Sequence, residues 1–200
     1  IGKPEKLATG FFWTAFIGLL VFLHFEFYYF AHAFFQPMTM PLLTMIWIAA
    51  LFMLLWKLLK NPSSVFVILL VVFMTALCLK LIFIDLFSWD ITGRFLFHGG
   101  KSYPAVELVM RLADFLVPVA VFTFIFLTLK NISSARTGTI AKARTVFGAA
   151  ALGLLLIYLT LEVNTCLHYY AKGAQAGGVS LLWGMFAFFL VVFGMRKDNK

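Results

Sequence analysis

Six long apolar stretches dominate the chain, and short polar segments separate them. They occupy 9–33, 40–59, 64–88, 104–129, 145–170 and 179–195. A helix needs about 20 apolar residues to cross the hydrocarbon core of a bilayer, and each stretch is close to that length. Helices satisfy their own backbone hydrogen bonds in lipid, and the alternation that marks barrel strands is absent. The pattern therefore predicts an all-α integral membrane protein with about six transmembrane helices.

Composition supports the same class of protein. Hydrophobic residues make up 63% of the 200 residues and charged residues only 12%, so the chain cannot present a polar surface to water on all sides. We expect the lipid bilayer to be its main partner. The net charge of +8 could suggest nucleic acid, but the basic residues lie in short loops beside the spans. Membrane topology explains them better, and we expect no nucleic-acid partner.

The basic residues also predict an orientation. Of the 16 lysines and arginines, eleven fall in segments on one side of the membrane and three on the other. Because cytoplasmic loops carry the excess of Lys and Arg, both termini are expected in the cytoplasm.

One stretch of the chain occurs twice. LHFEFYYFAHAFFQPMTMPLLTMIW at 23–47 aligns without a gap with LTLEVNTCLHYYAKGAQAGGVSLLW at 159–183, at an offset of 136 residues. The offset pairs Glu26 with Glu162, His32 with His168, and Trp47 with Trp183. It contains four spans, so the two copies should run parallel through the membrane, and the repeating unit should be a group of four helices.

The repeat defines the expected organisation of the chain. We expect a cytoplasmic lead at 1–8, a first repeat of four spans at 9–129, a basic cytoplasmic linker at 130–144 and the first two spans of a second repeat at 145–200. The second unit is thus incomplete, and no Met precedes Ile1. On these grounds the chain is expected to be a fragment of a longer protein.

Charged residues gather at one depth of the predicted spans. At a rise of about 1.5 Å per residue, seven of them share the outer third of the membrane: Glu26, Lys80, Asp85, Glu107, Arg111, Asp114 and Glu162. Ionisable groups inside a bilayer are costly and commonly mark functional sites. We therefore take this intramembrane charged cluster as the candidate site.

Helical spacing predicts how these charges pair. Glu107, Arg111 and Asp114 follow i, i+4, i+7 spacing and should form one stripe, in which Arg111 can pair with either neighbour. Lys80 and Asp85 are about 140° apart on an α-helix, so each should need a partner on a different helix. Expected pairings join Lys80 and Arg111 to Glu26, Glu162 or Asp85. Pro118 should kink the fourth span.

Two interpretations of the cluster remain open. In the first, the charges satisfy one another or reach the outer interface, and merely fix helix packing. In the second, the acidic excess and the histidines His24, His32 and His168 form an outward-facing pocket for a cation, a proton or a polar substrate. Glu26 and His32 are about 120° away from a common helix face, and no histidines pair at matching depth for haem. We expect no metal and no cofactor.

The elements LEVNTCLHYYAKGAQAGGVSLLW and KLIFIDL resemble a bacterial family of predicted multi-spanning membrane proteins known only as a domain of unknown function. The resemblance covers most of residues 9–200. It implies a multi-pass protein of the bacterial inner membrane that is longer than this chain. It implies no established activity and no catalytic residues.

The sequence is therefore compatible with two functions. The first is a non-enzymatic polytopic protein, a transporter-like or scaffold subunit with further helices of the same protein or other membrane subunits as partners. The alternative is a membrane enzyme acting on a lipid-linked or cell-envelope substrate at the outer face, although the sequence leaves enzymatic activity undecided. A buried pocket between the repeats would favour transport or catalysis, and fully paired charges would favour a scaffold. The outer loop 89–103 is a plain connector, a short lid or a re-entrant segment.

Overall fold

The computed structural model describes residues 3–34, 39–61, 63–86, 105–133, 138–171 and 173–198, and it is helical across nearly all of them. Six of its helices are long and apolar enough to cross a membrane, which confirms the predicted fold class. In chain order they are α1 (Lys3–Phe34), α2 (Thr39–Lys60), α3 (Ser64–Leu79, continued by the π-helical Lys80–Asp85), α4 (Ala105–Arg111, the π-helical Leu112–Leu116, and Val117–Ser133), α5 (Gly138–Tyr170) and α6 (Gln175–Asp198).

Local sequence accounts for several helix ends. The Ser63 side chain accepts a hydrogen bond from the Val65 amide at 3.3 Å and caps the N-terminus of α3, as hydroxyl residues commonly do at this position. Between α5 and α6 the chain reverses at Gly173, which has a φ of 95°. This left-handed conformation favours glycine because a side chain would clash with the backbone.

The segment 130–144 is more helical than the sequence indicated. We expected a basic linker there, but α4 reaches Ser133 and α5 already begins at Gly138. Alanine, lysine and arginine between 141 and 144 are strong helix formers, and Ile140 and Ala143 are buried. The outer loop 89–103 lies outside the described residues.

The core lies between α2, α3, α4 and α5. Fully buried side chains include Leu51 and Leu58 of α2, Leu70 and Leu77 of α3, Phe122 and Ile125 of α4, and Phe147 of α5. Phe122 and Phe147 meet edge to face with their ring centroids 5.6 Å apart. Because lipid is as apolar as these side chains, close packing rather than hydrophobic exclusion stabilises the contacts.

The helices α1 and α6 lie at the periphery of the bundle, where α1 packs on α2 and α6 packs on α5. Gly178 of α6 approaches α5 so closely that an added Cβ atom would clash with the Leu167 side chain. Large apolar side chains such as Phe11 and Phe188 are exposed on these outer helices. Such an apolar surface is suited to lipid and not to water.

Each of the helices α3 and α4 contains a π-helical turn next to its charged residues. In α4 the turn Leu112–Leu116 ends two residues before Pro118. Proline has no backbone N–H to donate to the carbonyl of Asp114, and its ring crowds that carbonyl. The widened turn accommodates the proline at the place where the sequence predicted a kink.

Candidate functional site

The π-helical turn at the end of α3 brings Lys80 and Asp85 together. Their Nζ and Oδ2 atoms are 2.5 Å apart, and both side chains are buried. Our expectation that each would need a partner on another helix was wrong. It assumed α-helical geometry, whereas i→i+5 hydrogen bonding widens the turn and places residues five apart over one another.

Thr44 of α2 completes the Lys80–Asp85 interaction. The Lys80 ammonium donates to Thr44 Oγ1 at 3.1 Å. The Thr44 hydroxyl lies 3.2 Å from Asp85 Oδ2 and 3.1 Å from the carbonyl oxygen of Met40. A hydroxyl carries one proton, so Thr44 donates to one of these two acceptors at a time. Thr44 is fully buried, and its hydroxyl was not among the predicted site residues.

Asp114 on the π-helical turn of α4 faces the same three groups. Lys80 and Asp85 act on it through their charges, and the Thr44 hydroxyl lies near enough to interact with its carboxyl group. The side chain is 0% exposed, yet neither carboxyl oxygen makes a hydrogen bond to a described residue. Together Thr44, Lys80, Asp85 and Asp114 form what we call the central cluster, at the junction of α2, α3 and α4.

Arg111 faces a different neighbour from Asp114. Its Nε donates to Glu162 Oε1 of α5 at 2.6 Å, and the arginine is fully buried while the glutamate is 17% exposed. This is one of the pairings that the sequence suggested. Arg111 and Asp114 do not bond each other, and the π-helical turn after Arg111 moves Asp114 from its α-helical register, while the part of the predicted stripe that involves Glu107 stays a prediction. The Glu107 side chain lies outside the described residues.

The three candidate histidines are spread over the bundle. His24 of α1 accepts a hydrogen bond from Trp47 Nε1 of α2 at 3.4 Å. His32 stacks on Tyr28, with an interplanar angle of 11°, and His168 Nδ1 lies 2.7 Å from the Gln175 amide nitrogen. Within the described part of the chain, no three His, Cys, Asp or Glu side chains are grouped to hold a metal ion.

The helix pairs α1–α2 and α5–α6 each contain an equivalent hydrogen bond from a tryptophan. Trp47 of α2 donates to His24 of α1, and Trp183 of α6 donates to Thr160 of α5 at 3.0 Å. Both donors and both acceptors are related by the offset of 136 residues. The internal repeat itself remains a prediction.

A cavity of about 220 Å³ lies between α1, α2 and α3, and it reaches the central cluster at Lys80. Its lining consists of His24, Phe25, Tyr28, Met40, Leu43, Lys80 and Ile84. A pocket between the two predicted repeats would favour transport or catalysis, whereas this cavity lies within the segment predicted as the first repeat. A second, larger groove of about 430 Å³ on α2 and α4 has an entirely apolar lining that includes Phe52 and Phe124.

The six long apolar helices fit a multi-pass membrane protein, and the central cluster lies between three of them. No protein-family model, no curated protein and no solved structure matches the chain. The central cluster and the Arg111–Glu162 pair are therefore interpreted from their own geometry.

Proposed function

We propose that this multi-pass membrane protein is transporter-like and binds one small cation, a proton or a monovalent metal ion, at the central cluster. The observation that carries the proposal is Asp114, a carboxyl group that is fully buried and has no hydrogen bond to a described residue. A buried polar group without a partner costs free energy. A buried polar group without a hydrogen bond therefore commonly marks a functional site.

The charges of the central cluster support a bound cation. The cluster contains one amine, Lys80, and two carboxyl groups, Asp85 and Asp114. Arg111 directs its Nε to Glu162 and makes no hydrogen bond to Asp114. An uncompensated charge in a low-dielectric interior is strongly destabilising. One further positive charge on or beside Asp114 would balance the cluster, and either a proton or a small metal ion supplies it.

The neighbouring groups suit a cycle of binding and release. Lysine carries its charge on a flexible four-carbon stem, so the Lys80 amine can turn from Asp85 towards Asp114 when the cation leaves. The cavity of about 220 Å³ adjoins Lys80 from the side of α1 and gives access to its amine. π-Helical turns are also frequent at functional sites in helices, and both aspartates lie in such turns.

The proposal includes a location. We place the protein in the bacterial inner membrane with both termini in the cytoplasm, which puts the central cluster nearer the outer face. The asymmetry of Lys and Arg between the loops and the resemblance to a bacterial family support this placement.

One observation supports a scaffold function. Arg111 and Glu162 join α4 to α5 through a largely buried ion pair, and such a pair fixes helix packing. We assign this pair to the structure and the central cluster to binding. No contact among the described residues specifically favours the alternative of a membrane enzyme.

The carboxyl group of Asp114 can be tested by infrared spectroscopy. The C=O stretch of a protonated carboxyl group is distinct from that of a carboxylate, so difference spectra between two pH values report proton binding. With the purified protein in lipid nanodiscs, we expect a carboxyl band that responds to pH and is absent from Asp114→Asn. The control Glu26→Gln, at an exposed position, should leave this band unchanged.

A second measurement distinguishes the two cations. If the occupant is a metal ion, sodium or potassium chloride will raise the thermal unfolding temperature relative to choline chloride, and Asp114→Asn will remove the increase. If it is a proton, only the infrared band will respond. A wild-type protein with neither an Asp114-dependent carboxyl band nor ion-dependent stabilisation would contradict the proposal.

A further inference from the structure

Glu26 lies on the side of α1 that faces away from α2. His24, two residues earlier, bonds Trp47 of α2, and two residues turn an α-helix by about 200°. Glu26 is exposed, and it forms no ion pair with a described residue. A carboxylate facing lipid from within a predicted membrane span is costly, even in the outer third.

The helix α5 shows how the same arrangement is completed. At the offset of 136, Thr160 corresponds to His24 and Glu162 to Glu26. Thr160 accepts a hydrogen bond from Trp183 of α6, and Glu162 accepts one from Arg111 of α4. At these two positions α5 thus contacts a partner helix each time, whereas among the described residues α1 does so only at the first.

The residues beside the two glutamates differ in the same way. On α1 the exposed fractions of Leu19, Phe22 and Tyr29 are 55%, 59% and 69%. Their counterparts on α5 are covered: Leu155 and Tyr158 pack against the core and Thr165 is 2% exposed. We call Leu19, Phe22, Glu26 and Tyr29 the Glu26 face.

We infer that the Glu26 face is a docking surface for a transmembrane helix of another subunit, one that carries an arginine or lysine at the depth of Glu26. Charge complementarity identifies this occupant, and the Arg111–Glu162 contact gives its geometry. The face shares no residue with the central cluster, so the inference does not depend on cation binding there.

Designed transmembrane peptides provide the test. A leucine–alanine helix with a single arginine at the depth of Glu26 is compared with a matched helix that has glutamine at that position. Association with the full chain in phosphatidylcholine vesicles is measured by energy transfer between fluorescent labels. We expect the arginine peptide to bind roughly fivefold or more tightly than the glutamine peptide, as expected for one added polar contact between membrane helices.

Two variants separate the Glu26 face from the rest of the surface. Glu26→Gln should remove the preference for arginine without affecting folding, because the side chain is exposed. Leu181→Gln, at a position of α6 that is 66% exposed, should leave the preference intact. Circular dichroism of each variant checks that the helices are retained.

Several results would overturn the inference. Equal binding of the arginine and glutamine peptides would do so, as would a preference that survives Glu26→Gln. An arginine in the inner third of the peptide that binds equally well would show that depth does not matter. Energy transfer between labelled copies of this chain that Glu26→Gln abolishes would identify a second copy as the occupant instead. Loss of the preference in phosphatidylethanolamine vesicles would identify a lipid amine.

Discussion

At the scale of single residues, the charged side chains divide into two groups with different surroundings. Arg111 and Glu162 are directly paired across α4 and α5. Asp114 is equally buried but has no hydrogen bond to a described residue. The two groups should therefore respond differently to substitution, since breaking a buried pair strands a charge, whereas neutralising an unbonded carboxyl group does not.

The Arg111–Glu162 pair can be tested with a double-mutant cycle. Arg111→Met should lower the free energy of unfolding by about 2 kcal/mol or more, because it leaves Glu162 without its partner. Glu162→Gln should also be destabilising, and the double variant should lose less than the sum, with a coupling of about 1 kcal/mol. Unfolding in mixed micelles with increasing denaturing detergent measures these values.

Lys60→Met serves as the control for removal of a positive charge. Lys60 is exposed and lies over the Trp56 ring, so its loss should change the free energy of unfolding by about 0.5 kcal/mol or less. If Arg111→Met is as mild as this control, the pair contributes little to the stability of the bundle.

At the scale of elements, the π-helical turns explain what helical spacing alone could not. The sequence placed Lys80 and Asp85 on different faces, and it placed Arg111 and Asp114 on one stripe. Both inferences assumed 3.6 residues per turn. The sequence did contain one sign of the π-helical turn in α3. A lysine and an aspartate stand five residues apart in an otherwise apolar span, and a widened turn brings such residues together.

Exchanging two neighbouring residues tests the π-helical turn of α3. The double variant Ile84→Asp with Asp85→Ile moves the carboxylate from i+5 to i+4 relative to Lys80. In an α-helix this move would place the two charges on one face and allow them to pair. In the widened turn it should lose the pair and lower the free energy of unfolding by about 3 kcal/mol, as measured by the same detergent titration.

The matched control exchanges two apolar residues of the same turn. Ile82→Phe with Phe83→Ile leaves both charges in place, and Phe83 is 64% exposed. We expect a much smaller effect from this control. An Ile84/Asp85 exchange that is at least as stable as the wild type would mean that residues 80–85 are α-helical in the native protein.

At the scale of the whole molecule, the sequence predicts the spans well and their contacts poorly. Length and hydropathy locate all six helices, because backbone groups in lipid leave few alternatives. Which helices touch is decided by side-chain packing, as between Phe122 and Phe147, and such long-range contacts have no periodic signal. The polar role of Thr44 was missed for the same reason, since its hydroxyl acquires meaning only beside Lys80 and Asp85.

Cysteine labelling tests the orientation of the whole molecule. In a background with Cys78 and Cys166 changed to alanine, Ala174→Cys should react with an impermeant thiol reagent added to intact cells. Asn61→Cys and Gly138→Cys should react only after the membrane is opened. All three positions are exposed, so accessibility to the reagent depends on the side of the membrane.

The opposite labelling pattern would reverse the proposed orientation. Reaction at all three positions in intact cells would show that the spans do not alternate as their order in the chain requires. Either result would leave the contacts within the bundle unchanged, because those contacts do not depend on which face is outside.

The buried ion pairs can form only in a certain order during synthesis, because a membrane protein is synthesised and inserted from its N-terminus. Helix α3 holds a lysine and an aspartate that bond each other, so it brings both halves of that interaction into the lipid together. Helix α4 enters with Arg111, and the Glu162 that its Nε bonds emerges only with α5. A charged residue costs about 2.5–3.5 kcal/mol on insertion at the centre of an isolated span, and less towards the interface. During biogenesis, α3 can therefore settle as a neutral unit, whereas α4 and α5 gain their ion pair only as a hairpin.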